Sequence, residues 1–375
     1  MTIAIDARFW GLEHAGLGRY AINLIRNLAE IDQKNTYYLL LRKKYFQESL
    51  GLPNNFKPIL AEISYHSLTE QLKLPLLIRR LNPDFVHYLY FIVPILSSKK
   101  FVVTIHDLIK HKHSGGEATT LSKPAYYTKY LAYHLDMWWA AKKSTRLIVP
   151  TQYVKNELAA YYKIKEKKIT VTYEGVDPQI TIAEANIKKL LSKYNLTKPY
   201  LIYVGNVYPY KNIPRLLDAL KLLPKGLSLA VACARSVFWE KLQAIIKERE
   251  MSNRVKLLGF VPDADLGTLY RESLAFVSAS LDEGFGITPL EAMASGTPAI
   301  ISNSACFPEV CGNAALYFNP YDPKDIAEKI GQVLDNPQLR SELIRRGQEN
   351  LKRFSWRKMA EKTLKVYNSL VNTIL

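Results

Sequence analysis

Short apolar runs alternate with amphipathic helical stretches along almost the whole chain, and this rhythm limits the possible folds more than any other feature. Residues 2–7 and 101–105 are typical of buried strands, because they are largely apolar and rich in β-branched types. Between such runs, apolar residues recur at i, i+3, i+4 and i+7, as in the segment 21–28. Strands and helices in alternation favour a mostly parallel sheet with helices on both faces.

The rhythm runs twice, which predicts two doubly wound α/β domains in tandem. The predicted strands are 2–7, 37–41, 84–88, 101–105, 146–149 and 169–172 in the first domain, then 200–204, 227–233, 255–258, 274–278 and 297–302 in the second. We assign residues 1–178 and 195–355 to two Rossmann-like domains, joined by a polar stretch at 176–198. Residues 356–375 read as a long amphipathic helix after the second sheet. The carboxyl ends of two such sheets are expected to face a cleft, where ligands bind.

The chain is strongly basic. It has 51 Lys and Arg against 34 Asp and Glu, for a formal net charge of +17, and residues 1–180 hold 25 of the basic and 15 of the acidic residues. Such a surface attracts anionic lipid headgroups or phosphorylated ligands, although scattered lysines also serve solubility. No nucleic-acid-binding motif accompanies the charge, so we expect no nucleic-acid partner.

Cysteine content and hydropathy indicate a cytoplasmic protein. Three cysteines cannot build a disulfide framework, and the spacing of Cys306 and Cys311 fits no zinc pattern, so we expect structural thiols. Asp6 and Arg8 interrupt the first apolar run at once, unlike in a targeting segment. The longest apolar run, 88–96, is too short to span a bilayer.

Loops between a predicted strand and a predicted helix are the first candidates for a ligand site. Gly16 and Gly18 lead into the first helix, where free amides and the helix dipole favour a phosphate, although paired glycines also make ordinary turns. In the loop 205–212, Lys211 stands at a helix start, where the dipole disfavours a cation unless an anion binds nearby. An exposed lysine is the alternative explanation for that loop alone.

The segment 283–291 is the most informative of these loops. Thr288 suits the N-cap of the following helix, and Pro289 suits its first turn. The amides of Ile287, Thr288 and Leu290 are then free to hold a phosphate.

Two carboxylates of the same segment add to the candidate site. Glu291 either reaches ligand hydroxyls or favours the helix N-terminus through its charge. Glu283 lies in the loop, where a carboxylate binds sugar hydroxyls or steadies a positive charge.

Seven short motifs follow one another along nearly the whole chain. They are Gly-Leu-Gly-Arg at 16–19, Thr-Ile-His-Asp-Leu at 104–108, Tyr-Glu-Gly-Val-Asp at 173–177, Lys-Asn at 211–212, Leu-Gly-Phe-Val-Pro at 258–262, Glu-x7-Glu at 283 and 291, and Pro-Glu-Val at 308–310. Each is loose alone, but their order and spacing are specific. In this combination the chain resembles the retaining nucleotide-sugar glycosyltransferases of family 4, and within them a mannosyltransferase-like bacterial group.

The resemblance implies the GT-B architecture, in which two Rossmann-like domains face a cleft and the final helix crosses back onto the first. It implies a nucleotide-sugar site in the second domain and an acceptor site in the first. The catalytic residues it implies are Glu283 on the transferred sugar, Lys211 on the diphosphate and His106 facing the sugar. The donor-binding residues it implies are Gly18, Asn206, Phe260, Val261, Gly286, Ile287, Thr288, Leu290 and Glu291. Among these, Glu291 would bind the ribose, and the Phe260–Val261 peptide would meet the base.

The chain departs from the family pattern at one cationic position. Family members often carry an Arg shortly after the strand where this chain has Asn206. Arg235, after the next strand, is a candidate for the second positive charge on the diphosphate, and a surface cation is the alternative. His111 and His113, beside further lysines, read as solvated loop residues.

The sequence also contains a short pattern that binds metal in some other proteins. Asp263 and Asp265 form an Asp-x-Asp sequence, which binds a divalent metal in other transferases. Because a helical run follows directly, N-capping explains the two residues better. We therefore expect no metal and no other cofactor, since Lys211 and helix-end amides can stabilise a departing diphosphate.

The activity implied is a retaining transfer of a hexose, of mannose or glucose type, from GDP-mannose or a UDP-hexose to a glycan or lipid-linked acceptor. The basic first domain fits a peripheral position at an anionic inner membrane face. Aromatic residues at 88–91 and 138–139 serve there either as core or as membrane contacts. The alternatives are another GT-B enzyme, such as a nucleotide-sugar epimerase or a phosphorylase, or a sugar-nucleotide-binding protein without catalysis.

Overall fold

Two parallel β-sheets organise the computed structural model, which describes residues 1–97, 99–115, 119, 122–177, 186–233 and 236–371. Each sheet belongs to its own unit of the chain. Unit 1 comprises Met1–Leu108, Ser122–Gly175 and Ser355–Leu375, and unit 2 comprises Ile109–Leu121 and Val176–Phe354.

The sheet of unit 1 has the strand order β3-β2-β1-β4-β5-β6-β7, and all its strand pairs are parallel. Its strands are β1 Thr2–Asp6, β2 Thr36–Leu41, β3 Phe56–Leu60, β4 Phe85–Tyr88, β5 Phe101–Thr104, β6 Arg146–Val149 and β7 Ile169–Val171. The chain pairs β1 with β2 on one side and with β4 on the other, so the direction of winding changes between β1 and β4. Ligands of open α/β sheets bind at such a switch point.

The sheet of unit 2 repeats this plan with the order β10-β9-β8-β11-β12-β13. Its strands are β8 Tyr200–Val204, β9 Ser228–Ala232, β10 Val255–Gly259, β11 Ala275–Ser278, β12 Ala299–Ser302 and β13 Ala315–Phe318. All pairs are again parallel, and the winding changes between β8 and β11.

Helices connect the strands in the described chain. They are α1 Ala15–Ile31, α2 Leu68–Leu81, α3 Ile109–Lys112, α4 Lys123–Lys143, α5 Gln152–Tyr162, α6 Ile187–Lys193, α7 Ile213–Lys221, α8 Trp239–Glu248, α9 Asp263–Glu272, α10 Ile287–Ala294, α11 Phe307–Cys311, α12 Pro323–Asp335, α13 Pro337–Leu351 and α14 Trp356–Val371. Side chains cap the starts of six of them, namely Ser67, Thr151, Asn186, Asp322, Asn336 and Ser355. Among the described residues, no helix is both long enough and apolar enough to cross a membrane.

The predicted fold class is confirmed: the chain forms two α/β units with parallel sheets. All eleven predicted strands are present, with ends that agree or differ by at most two residues. Two strands, β3 and β13, were not predicted. Each lies at the edge of its sheet, where a strand is buried less completely. Lys57 and Pro58 interrupt the apolar pattern of β3, whereas β13 is a short apolar strand in which only Ala315 and Phe318 are buried.

The core of unit 1 depends on the last helix of the chain. Helix α14 packs against α1, and Tyr367 of α14 is fully buried. Its hydroxyl lies 2.6 Å from Nδ1 of His87, whose Nε2 lies 2.9 Å from the hydroxyl of Thr104. The Tyr20 hydroxyl completes the chain of hydrogen bonds, 3.0 Å from Thr104 Oγ1. These bonds satisfy polar groups that burial would otherwise make costly.

His87 makes the stability of the protein depend on pH. Burial, with a smaller contribution from His106, lowers the pKa of His87 to about 3. The unfolded chain binds a proton at this histidine below about pH 6.5, whereas the folded chain does not, so stability is lost as the pH falls below that value. We expect a slope of up to about 1.4 kcal/mol per pH unit, measured by urea unfolding. His87→Gln removes this titration and should flatten the slope; equal slopes in both proteins would contradict the assignment.

Candidate functional site

The loops that follow β8 and β11 meet at the switch point of unit 2. The amide of Leu281, after β11, donates to the carbonyl of Tyr210, after β8, over 2.8 Å. From the same two loops, Lys211 Nζ and Glu283 Oε1 approach to 2.5 Å. The structure thus joins two of the three predicted catalytic residues directly, at the position where open α/β sheets bind ligands.

The ion pair is largely withdrawn from solvent, since the two side chains are 12% and 15% exposed. Burial alone would lower the pKa of Lys211, but the Glu283 carboxylate and the phenols of Tyr210 and Tyr203 outweigh it and raise that pKa. Lys211 therefore stays cationic. A desolvated cation held in place is suited to bind a phosphate or another anion.

Lys211 stands in a short turn, where the sequence predicted a helix start. It ends the single 3₁₀ turn Pro209–Lys211, and α7 begins two residues later. Between them, Asn212 adopts a left-handed conformation, and its side chain donates to the carbonyl of Pro320 over 2.8 Å. The turn holds Lys211 toward Glu283 without placing it on a helix dipole.

Helix α10 begins beside this ion pair, and its N-cap differs from the prediction. The N-cap is Gly286, with a φ of 75°, while Thr288 is the second helical residue; the assignment of Thr288 as the N-cap was wrong. No side chain caps this start. A Cβ at Gly286 would lie 2.7 Å from the Phe307 ring, so both backbone conformation and packing require glycine here.

The predicted phosphate-binding residues at this helix start differ in their exposure to solvent. Ile287 and Thr288 are half-buried at the surface, whereas Leu290 is fully buried and its side chain packs in the core. The first amides of a helix have no partner within the helix, so they can hold an anion.

Glu291 lies in the second turn of α10 and is only 3% exposed. The hydroxyl of Tyr270 lies 3.4 Å from its Oε2. Because the helix dipole acts mainly in the first turn, its effect does not explain a buried carboxylate at this place. The role of Glu291 in binding a ligand hydroxyl stays a prediction.

The remaining predicted donor residues lie on neighbouring loops of unit 2. Phe260, directly after β10, is 68% exposed, and Val261 is buried. The Asn206 side chain is turned toward its own loop, with Oδ1 3.4 Å from the Tyr208 amide, and its carbonyl accepts from the Tyr203 hydroxyl. Arg235 lies outside the described residues.

Neither metal-like pattern gathers ligands. Asp263 begins α9 with Pro262 as its N-cap, so the expected capping role of the aspartates was wrong. Asp265 instead accepts from Lys193 Nζ and the Tyr194 hydroxyl at 2.6 and 2.7 Å. Cys306 and Cys311 are buried thiols, and burial raises the pKa of Cys311 to about 12. The described residues contain no group of three His, Cys, Asp or Glu placed to share a metal.

A second cation reaches the same loops of unit 2, and the sequence analysis missed it. Lys112 Nζ lies 2.9 Å from Oδ2 of the buried Asp282, next to Glu283. His113 packs on the Tyr210 ring at 5.6 Å, so its interpretation as a solvated residue was wrong. The signal was the basic run at 110–113, but its docking place depends on the fold.

In unit 1, Gly18 has a packing reason to be glycine. It is the fourth residue of α1, and a Cβ there would lie 1.8 Å from the carbonyl oxygen of Gly11. This close approach requires glycine whether or not a phosphate binds nearby. Gly16 has open space around it.

His106 follows β5 at the carboxyl edge of the first sheet and is held by three groups. Its Nε2–H donates to the carbonyl of Leu89 over 3.0 Å, and the Tyr20 ring meets its face edge-on. Its Nδ1 lies 3.6 Å from Oε1 of Glu174, a buried carboxylate that follows β7. In the sequence, Glu174 stands out only as part of the motif at 173–177, because its pairing with His106 depends on the order of strands.

A buried cluster of charged side chains lies at the carboxyl end of β1. The guanidinium of Arg8 is fully buried, with Nη2 at 2.7 Å from Asp6 and 2.6 Å from Glu70. Burial alone lowers the pKa of Arg8, but the two carboxylates outweigh it and raise that pKa. This charge cluster ties the loop after β1 to the start of α2.

Two glycosyltransferase domain families match the two halves of the chain. The family described as Glycosyltransferase Family 4 matches residues 14–180, and the family Glycosyl transferases group 1 matches residues 186–350. The O-antigen chain mannosyltransferase RfbU of Salmonella typhimurium is 28% identical over 87% of this chain and 89% of its own length. The O-antigen chain mannosyltransferase B of Escherichia coli is 27% identical over 95% and 96%, respectively.

Solved structures show the same fold. Sucrose-phosphate synthase from Thermosynechococcus elongatus superposes with a TM-score of 0.77 over the whole of both chains, at 17% identity. The HepE protein of Anabaena, in complex with UDP and glucose, superposes with a TM-score of 0.76 over 98% of this chain and 100% of its own, at 16% identity.

The Lys211–Glu283 pair should be strongly coupled in stability. Lys211→Met leaves a mostly buried carboxylate without its cation and should lower the free energy of unfolding by about 3 kcal/mol. The double variant with Glu283→Gln should recover much of that loss, in a urea-unfolding double-mutant cycle. Lys352→Met breaks the exposed pair with Glu349 and should change stability by at most about 0.5 kcal/mol. Additive single effects at 211 and 283 would contradict a coupled pair.

Comparison of Gly286, at the start of α10, with Gly296, after its end, separates the cost of backbone strain from the cost of a steric clash. Gly286 and Gly296 share a φ near 75°, but a Cβ at Gly296 would meet nothing within 4 Å. Gly296→Ala should therefore cost about 1–2 kcal/mol of stability, and Gly286→Ala should cost about 1–3 kcal/mol more, because Phe307 must move. Thermal unfolding measures both, and equal losses would show that Phe307 does not constrain this position.

Proposed function

Because the chain belongs to the GT-B glycosyltransferases that join a family 4 domain to a group 1 domain, we propose that it transfers a hexose from a nucleoside-diphosphate sugar to a glycan or lipid-linked acceptor. One observation carries the proposal: the largely desolvated Lys211–Glu283 pair at the switch point of unit 2, beside the start of α10, which no side chain caps. A cation and free helix amides together suit a diphosphate.

The donor binds along the carboxyl edge of the second sheet. The cation of Lys211 and the first amides of α10, at Ile287 and Thr288, hold the diphosphate. Glu291 accepts hydrogen bonds from the ribose hydroxyls, since its carboxylate is buried beside this helix start. Phe260, exposed after β10, offers a ring against which the base can stack.

Lys211 and Glu283 exchange partners when the donor binds. Without ligand, Glu283 neutralises the cation and holds it in place. A diphosphate brings more negative charge than one carboxylate, so it competes for Lys211 and frees Glu283 to accept hydrogen bonds from sugar hydroxyls. The site is thus charged and oriented before the donor arrives, which is how electrostatic stabilisation avoids reorganisation.

The transfer proceeds with retention of configuration. The bond between the anomeric carbon and the phosphate oxygen breaks, the acceptor oxygen forms its bond to that carbon from the same face, and the leaving phosphate oxygen takes the acceptor proton. Lys211 and the α10 amides stabilise the negative charge that develops on the diphosphate. These groups supply that stabilisation without a metal or another cofactor.

Unit 1 provides the acceptor side, with His106 as its catalytic candidate. His106 is fixed at the carboxyl edge of the first sheet by Leu89, Tyr20 and Glu174. Because Nε2–H donates to the Leu89 carbonyl, Nδ1 is the ring nitrogen that faces Glu174. An acceptor hydroxyl that enters between Nδ1 and Glu174 can bind there. Gly18, in the first turn of α1, is the predicted donor-binding residue of this unit; its close packing against the Gly11 carbonyl fixes the helix start.

The sugar transferred is mannose, and GDP-mannose is the expected donor. The support is the identity of this chain to O-antigen mannosyltransferases over most of both lengths. A UDP-hexose is the alternative donor, and the two nucleotides are separated by the test below. A lipid-linked acceptor would place the protein in peripheral contact with an anionic membrane.

Nucleotide binding tests the donor site directly. GDP in large excess should raise the melting temperature, with a stabilisation of about 2.7 kcal/mol at a hundredfold excess over Kd, while UDP and ADP act weakly. EDTA should not change this result. Lys211→Met should weaken GDP binding about ten- to a hundredfold, because a charged hydrogen bond is lost. Lys221→Met, an exposed lysine on α7, is the matched control and should bind GDP normally.

The other outcomes are equally decisive. A melting temperature that no nucleotide raises would overturn the donor site, and a shift abolished by EDTA would overturn metal-free binding. A selective shift with UDP would replace GDP-mannose by a UDP-hexose. If GDP-mannose binds but no GDP is released in the presence of mannosyl glycan acceptors, the protein would be a binding protein that lacks catalysis.

A further inference from the structure

Helices α2 and α4 of unit 1 each carry an exposed apolar stripe. Leu68, Leu72 and Leu76 lie on one side of α2, and Tyr127, Leu131, Leu135 and Trp138 lie on one side of α4; we call these seven side chains the outer face. They are between 43% and 84% exposed. Spacings of three and four residues align each set within one narrow arc of its helix.

The two helices lie on the same face of the first sheet. Leu74 and Ile78 of α2 and Met137 of α4 pack, from their inner sides, into one apolar cluster with sheet residues. His66, directly before α2, lies 3.7 Å from Asp136 of α4. The two stripes therefore belong to one side of unit 1, and together they exceed the scattered single apolar residues of an ordinary surface.

The exposed charges on these two helices are all positive. Their acidic residues, Glu70 and Asp136, are both buried, and Glu70 is engaged with Arg8. The exposed charged residues are Lys73, Arg79, Arg80, Lys123, Lys129, Lys142 and Lys143. Apolar stripes on helices whose exposed charges are all positive are complementary to a surface that is apolar inside and negative outside.

A basic cavity continues this charge at the end of α4. It has a volume of about 460 Å³ and is lined by Ser144, Thr145, Arg146, Lys165, Lys167 and Lys168. Lys168 Nζ donates to the carbonyls of Ala141 and Lys142 over 2.9 Å, which leaves its charge without a carboxylate. The cavity is large enough for a phosphate headgroup.

We propose that the outer face docks unit 1 on a bilayer that contains anionic lipid, with headgroup phosphates bound near the carboxyl end of α4. The proposal deepens, and rests on, the peripheral membrane contact proposed above by naming the surface that makes it. Trp138 suits the boundary between headgroups and acyl chains. Among the other aromatic residues at 88–91 and 138–139, Tyr88 and Phe91 are buried in the core, and Tyr90 and Trp139 are partly buried against it.

Vesicle sedimentation tests the surface with the full chain. The protein should bind vesicles of phosphatidylcholine mixed with phosphatidylglycerol, bind phosphatidylcholine alone far more weakly, and lose affinity as salt rises. Leu131→Ser with Leu135→Ser should weaken binding about tenfold or more through lost apolar contact. Lys142→Ala with Lys143→Ala should weaken it to a similar degree through lost attraction to anionic headgroups.

Matched controls come from unit 2. Leu222→Ser removes an equally exposed leucine, and Lys221→Ala with Lys225→Ala removes two exposed lysines; neither change should alter vesicle binding. Circular dichroism establishes that all variants fold. Because every substitution lies at an exposed position, stability should change by only about 0.5 kcal/mol.

Three results would overturn the proposal. Vesicle binding that is independent of the outer-face variants would place the contact elsewhere, and no binding to anionic vesicles would remove it. A stable dimer in light scattering that Leu131→Ser with Leu135→Ser dissociates would assign the face to a second copy of the chain. The nucleotide shift is measured on the same samples, so a GDP shift without vesicle binding contradicts this surface alone, and vesicle binding without a shift contradicts the donor site alone.

Discussion

Parallel pairing of strands is the constraint on which the rest of this structure depends. Because every strand of a parallel sheet points the same way, all loops that follow strands collect at one edge. Lys211 and Glu283, 72 positions apart, meet there over 2.5 Å, and His106 and Glu174 approach in the same manner in unit 1. The opposite edge receives the ends of helices such as α2 and α4, which carry cations that suit the helix dipole.

The features that could be predicted from the sequence are those that local pattern determines. Strands buried on both sides, such as β1 and β8, are continuous apolar runs, and α1 shows its buried stripe at helical spacing. The edge strand β3 escaped prediction because Lys57 and Pro58 interrupt its apolar pattern. Pro58 cannot donate to a neighbouring strand, a restriction that edge strands tolerate.

The candidate site was predicted as a set of loops, but its contacts were not. Thr288 has the chemistry of an N-cap, yet the backbone turns at Gly286, and the packing of Phe307 fixes that choice. The pairing of Glu174 with His106 spans 68 positions, so neither residue's neighbours reveal the other. Leu131 and Leu135 of α4 are apolar residues four positions apart, yet the fold turns them outward; only tertiary structure decides which apolar side chains are covered.

The packing of α14 on unit 1 has a consequence for folding during synthesis on the ribosome. Synthesis adds roughly 5–20 residues per second from the amino terminus, and domains usually fold in the order in which they emerge. Here α14 belongs to unit 1 but is synthesised after unit 2. Until α14 emerges, the surface of α1 against which it packs is uncovered. During that interval Phe85 and His87 lack Tyr367, and the nascent chain exposes a surface that chaperones and proteases can recognise.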